Sequence, residues 1–111
     1  MRPMNLALSG IDAATTQLAS SASNVANVET PGYAPSRVDA QDRADGGVRV
    51  TISREAFDKA SAAAGQSGTD LVTETVNRSA ALAAYRANLR VIGAADDAAK
   101  AVASLGRRSP R

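Results

Sequence analysis

The 111-residue chain contains neither histidine nor cysteine. That removes the side chain that titrates near neutrality, the thiolate nucleophile, and every imidazole or thiolate metal ligand. Asp96 and Asp97 are adjacent in a helical stretch and point about 100° apart, so they do not share a site. Lys59 and Lys100 are the only lysines, and neither sits in a context that would activate an amine nucleophile. Gly46-Gly47 precedes a strand-like run rather than a helix, so it is no phosphate loop. The expectation is a chain that is not an enzyme, with no catalytic residue, cofactor or metal site.

The polar residues that call for a reason are amides. Asn24, Asn27 and Asn88 lie on or beside apolar stripes of helical period. Asparagine near a helix end often only caps or frays it. The sharper reading is that these amides hydrogen-bond across packed helices and fix their register, as a buried polar residue does in a coiled coil. Tyr85 is the largest residue of the C-terminal stripe. Spacing alone makes it core, and a buried phenol that needs a partner can also anchor an interface.

These residues are positioned by a simple plan. From about Asn5 to Val28, Met4, Leu8, Ile11, Thr15, Leu18, Ala22 and Val25 recur at steps of four and three, a heptad seam on one helix. A helix of this length is marginal alone and needs a partner. Thr30-Pro31-Gly32-Tyr33 ends it, with Pro31 and Gly32 suited to the centre of a type II turn. The middle segment, 34–69, changes character. Val48–Ile52 alternates as a half-buried strand after the turn residues Asp45-Gly46-Gly47, and its natural partner is Tyr33–Ala40, with Val38 facing inward. Ser53–Ala64 is ambiguous, with Phe57 as its anchor, and Ala64–Gly68 reads as loop. A second helix covers 70–106, with Thr69 or Asp70 as N-cap, Glu74 at the positive end of the dipole and Gly106 as the stop. Its stripe runs Val72, Val76, Ser79, Leu82, Tyr85, Leu89, Ile92, Ala95, Ala99, Val102, Leu105. Gly93 inside it allows a close crossing or a bend. Residues 107–111 form a basic tail. The fold class is therefore mainly α: two long helices in an antiparallel coiled-coil hairpin, with a short middle segment containing a β-hairpin.

Composition adds a constraint. Apolar residues make up 44% of the chain, yet there are only one Phe, two Tyr and no Trp. Alanine, the dominant apolar type, favours helix but buries little area, so one copy has a thin core and no disulfide to reinforce it. Stability gained in an assembly follows. The net charge of +2 is mixed in sign, which argues against a polyanion binder. No stretch approaches a membrane span, and Leu6-Ala7-Leu8 is too short for a cleaved secretory signal.

The stretch Ala7–Tyr33 resembles the N-terminal signature of the bacterial flagellar axial proteins, the rod and hook family. The resemblance is carried by Ala26-Asn27-Val28-Glu29-Thr30-Pro31-Gly32-Tyr33, and by Tyr85-Arg86-Ala87-Asn88 followed by Val91-Ile92 in the second helix. With so short a middle segment, the chain is most similar to a proximal rod subunit of the C type. Gly65-Gln66-Ser67-Gly68 stands where that type carries a Pro-rich stretch, and Glu74-Thr75 where it carries Glu-Met. The resemblance implies a structural subunit of the basal-body rod, the hollow drive shaft across the periplasm, built by packing terminal helices. Its partners would be copies of itself, other rod subunits, and the flagellar type III export apparatus, which needs no cleaved signal. Nucleic acid and direct membrane insertion are not implied. The assembly residues expected from seams and signature together are Ile11, Leu18, Asn24, Val25, Asn27, Thr30, Pro31, Gly32 and Tyr33 at one end, and Leu82, Tyr85, Asn88, Leu89 and Ile92 at the other.

The rival reading from another class is a soluble helical adaptor or nucleic-acid-binding module, using Arg78, Arg86, Arg90 and the basic tail. It requires binding that weakens steeply with salt, and the chain lacks interleaved aromatics. The thin core leads to a first prediction: the terminal helices are partly disordered in the isolated monomer. Hydrogen exchange should find weak protection there; strong protection along Asn5–Val28 and Leu71–Leu105 in a proven monomer overturns it.

Overall fold

The computed structural model describes residues 2–55 and 65–108. Helix α1 spans Arg2–Ala26, strands β1 and β2 span Ser36–Asp42 and Val48–Arg54, and helix α2 spans Leu71–Arg107. The two helices pack together, with the antiparallel β1–β2 hairpin between them in the chain. This is the expected mainly helical architecture. No helix among the described residues is long and apolar enough to cross a membrane.

The hairpin pairs Ser36 with Arg54, Val38 with Ile52 and Asp42 with Val48. Its turn uses Gly46 at φ 91°, and Gly47 N–H donates to Asp45 Oδ1 at 3.1 Å. Strand β1 begins at Ser36 rather than at Tyr33, because the chain first spends Tyr33–Pro35 on the reversal. The hairpin then lies back along α1. Ser20 Oγ is 2.7 Å from Ser36 Oγ near one end of the hairpin, and Val48 N–H donates to Ser9 Oγ at 3.2 Å near the other. Phe57 and the rest of 56–64 lie outside the described residues.

Helix boundaries follow their caps. Helix α1 stops two residues before the expected Val28. The Asn27 N–H reaches both Ser23 O and Asn24 O, and the Asn27 carbonyl accepts from Thr30 N–H. Helix α2 starts after Asp70, whose Oδ1 accepts from Val72 N–H at 3.0 Å. Gly106 does not end it. The helix continues to Arg107, because Gly106 is not in the left-handed conformation that a glycine stop uses.

On α1 the seam is rotated from the expected one, while on α2 the expected Ala95 is buried and Leu82, Tyr85 and Ile92 are half-buried. On α1 the buried residues are Ala7, Ala14, Ser20, Ser21 and Asn24, and on α2 they are Glu74, Ala81 and Ala95. Ala7, Ala14 and Ser21 are seven apart, as are Gly10, Gln17 and Asn24, each one position before a residue of the apolar stripe. The expected seam residues Leu8 and Val25 are 51% and 44% exposed, and Val72, Val76 and Val102 lie between 61% and 73%. The close approach is made at Gly10. A Cβ there would lie 2.6 Å from Asn88 Nδ2, whereas nothing lies within 4 Å of one at Gly93. The crossing glycine is therefore Gly10, and Gly93 sits on the open side of α2.

Small residues win the seam because α1 is covered on two sides. Helix α2 packs on one flank and the hairpin on another, so the residues facing both must be short for all three elements to approach. The buried aliphatic side chains of the two helices are the alanines Ala7, Ala14, Ala81 and Ala95, each contributing on the order of 1 kcal/mol. Gly10 tests this packing. Gly10→Ala should be destabilising or neutral in the native chain, where Asn88 must yield. In an Asn88→Ala background the same change should stabilise by about 1 kcal/mol, the helix preference for Ala over Gly. Thermal unfolding of the four proteins reads the difference; equal effects in both backgrounds would show that the contact is not tight.

Candidate functional site

Where α1, the chain reversal, β1 and α2 meet, one side chain holds all four. Asn24 is 1% exposed. Its Nδ2 donates to Ser36 O at 2.8 Å and to Glu74 Oε1 at 2.9 Å. Its Oδ1 accepts from Ser36 N–H at 2.8 Å and from the Tyr33 hydroxyl at 3.0 Å. Its backbone carbonyl accepts from Thr69 Oγ1 at 2.9 Å. The side chain must donate twice and accept at the same time, which only an amide can do. Aspartate would set a second carboxylate against Glu74 and lose both donors.

Around it the reversal locks in place. Tyr33 N–H donates to Thr30 O at 3.2 Å with Gly32 at φ 72°, as a type II turn requires. Gly32 N–H donates to Gln66 O at 2.8 Å and Gly68 N–H to Tyr33 O at 2.9 Å, so the turn and the loop before α2 hold each other. The Arg54 guanidinium lies 5.7 Å from the centre of the Tyr33 ring. Thr30 and Pro31 are exposed on the outer edge of this turn.

The three asparagines divide. Asn24 hydrogen-bonds across the helices, as the register reading requires. Asn27 and Asn88 do not: their Nδ2 groups donate to Ser23 O and Ala84 O, four residues back in their own helices. Asn27 Oδ1 accepts from Thr30 Oγ1 at 3.1 Å, which makes Asn27 a local bracket for the turn. Asn88 acts by shape, packed against Gly10. Glu74 is the residue that sequence reasoning placed only by helix dipole. It is 6% exposed, and its Oε2 finds no donor among the described residues. The one legible hint was a carboxylate spaced seven residues before Ala81 and fourteen before Asn88, on the buried stripe.

The apolar members of the expected site fall on a different surface. Leu18, Ala22 and Val25 of α1 and Leu71, Glu74, Arg78 and Leu82 of α2 line an open groove of about 790 Å³, away from the hairpin. Ile11, Tyr85 and Ile92 are half-buried along the same pair of helices, and Leu89 is 46% exposed. The site thus has two parts, a polar latch at the reversal and an apolar helix surface beside it. Among the described residues no cluster of three or more acidic side chains is close enough to hold a metal ion.

Removing the latch tests its weight. Asn24→Ala should cost about 2–3 kcal/mol, because it strands Ser36 N–H and Glu74 in a buried site, while Tyr33→Phe should cost only about 1 kcal/mol. Denaturant unfolding of both variants gives the ratio, and equal costs would remove Asn24 from the centre of the network. Compared with known proteins, the chain matches no protein-family model and no curated protein.

Proposed function

We propose that this chain is a structural subunit of the bacterial flagellar basal-body rod, most similar to a proximal rod protein, and that it works by packing its terminal helices into neighbouring subunits. One observation supports this reading most. The seam inside the monomer uses alanine, glycine, serine and asparagine, while Leu8, Val25, Leu71, Val76, Leu89 and Val102 are exposed. Large apolar side chains arrayed along two paired helices mark a surface that a partner covers. The motif Ala26–Tyr33 supports the reading from the sequence side, since its turn, bracketed by Asn27, delivers the Tyr33 hydroxyl to Asn24 in the latch that orients those helices. Export by the flagellar type III apparatus and a place in the periplasm-spanning rod belong to the same proposal.

In this reading the protein acts by geometry. Each copy repeats a heterologous contact that does not close, and such contacts generate a helical tube. A decisive experiment deletes the chain in its own cells and isolates basal bodies. Loss of swimming, with restoration by the native chain and co-purification of a tagged copy with the rod, is the expected outcome. Val25→Asp, which charges the exposed surface without touching the latch, should fail to restore swimming. Normal motility in the deletion strain overturns the reading. So does retention of the purified chain on nucleic acid that falls steeply with salt.

A further inference from the structure

The outer edge of β1 is unpaired along half its length. The hairpin ladder is anchored by Glu55 N–H on Pro35 O and by Arg43 N–H on Gly47 O. Val38 stands opposite Ile52 and Ala40 opposite Val50, so the odd-numbered residues of β1 bond to β2 and the even-numbered ones turn their N–H and C=O outward. At Ser36 both outward groups are taken by the Asn24 amide. Those of Val38 and Ala40 find no partner among the described residues.

This edge is one wall of a cleft. The Cα atoms of β1 stay more than 8 Å from those of α2. Two adjoining cavities of about 350 and 320 Å³ open between them and share Gln17, Val38 and Asn77 in their walls. The floor is Gly10, Ala13 and Ala14 of α1, and the far wall includes Ala80 and Ala84 of α2. From Glu74 to Asn88 the cleft is about 21 Å long, room for about six residues of extended chain. One end of it is acidic. Arg37 pairs with Asp39 at 3.2 Å, so the charge there comes from Glu55 and Glu74. Glu74 is 6% exposed, and its Oε2 has no donor among the described residues.

We infer that this cleft receives an extended strand of a partner polypeptide, which adds antiparallel to β1 and makes the hairpin a three-stranded sheet. The free backbone groups select the occupant. Two donors and two acceptors spaced along an edge are answered by a strand, whereas a helix spends its own N–H and C=O internally and is about 10 Å across. The hairpin of a second copy cannot enter, because its inward face already lies on its own α1. Residues of the added strand opposite Val38 and Ala40 share their face and point at the alanine floor, so they must be small. The residue opposite Ser36 reaches the acidic end, so it is lysine or arginine. The exposed leucines and valines of the helices take no part, and the inference stands apart from the helix packing proposed above.

Exchange of single backbone amides, followed by NMR on the full chain, tests this. The probe is a capped hexapeptide of alternating threonine and alanine that ends in lysine, added at millimolar concentration. It should slow exchange at Val38 and Ala40 several-fold and leave Val50 and Ile52, the outward amides of β2, unchanged. Ala40→Pro removes one outward donor while keeping the ladder to β2, and should abolish the slowing at Val38. Ala84→Leu, an exposed change on the opposite wall, should abolish it without touching the hairpin, and serves if Ala40→Pro disturbs the strand. Alanine in place of the peptide's lysine should weaken binding several-fold. No slowing at Val38 and Ala40, or slowing that survives Ala84→Leu, overturns the inference. So does slowing that grows with the concentration of the chain alone, which assigns the edge to a second copy. A chain that binds the peptide in this way but is absent from basal bodies supports the strand site and defeats only the rod reading.

Discussion

A single buried amide ties α1 to the chain reversal, to β1 and to α2. Asn24 donates to β1 and to α2, accepts from β1 and from Tyr33, and takes Thr69 on its own carbonyl. In a chain with few large buried side chains, hydrophobic packing alone specifies register weakly, because alanine slides past alanine at little cost. A fully buried amide cannot slide. Moving it by one turn leaves two donors and an acceptor without partners in a dry site. The fourteen-residue spacing from Asn24 to Gly10, matched by that from Glu74 to Asn88, carries this register to the far end of α1.

The second constraint is the division of the helices into an inner and an outer surface. The inner surface is small and polar because three elements crowd onto α1. The outer surface keeps the branched aliphatics. The ordinary order of a soluble domain, with large apolar groups inside, is partly inverted. The consequence is a monomer that buries mostly small side chains and exposes branched aliphatics along both helices, the observation on which the proposed assembly rests. The hairpin contributes here too: lying back along α1, it covers one flank, and no hairpin residue lines the groove between the helices.

Several features were legible from the chain alone. Helical period, the Pro31-Gly32 reversal, the strand Val48–Ile52 and the Asp70 cap each depend on local preferences that the residues carry with them. The choice of seam was not. Leu8, Ile11, Leu18 and Val25 form the most apolar stripe, and a stripe of that kind is the natural guess for the packed face. The packed face lies one residue away, on Ala7, Gly10, Ala14 and Ser21. Hydrophobicity ranks faces by transfer energy, whereas closeness of approach ranks them by size, and in this chain size decided. Among the asparagines, position on the stripe could not tell Asn24 from Asn27 or Asn88, since three residues along a helix turn a side chain from a shared junction into its own backbone.

The sequence by itself determined which segments are helix and strand, where the chain reverses, and that no histidine or cysteine chemistry is built in, because these follow from backbone preference and residue type. Only the tertiary structure decided which face of α1 is inside, which asparagine is the latch, that Glu74 lies buried beside it, and that α2 outruns α1. Those depend on contacts between separate elements, from Asn24 with Ser36 to Gly10 with Asn88, where local preference has no reach and the competition between close packing and hydrogen-bond satisfaction settles the outcome.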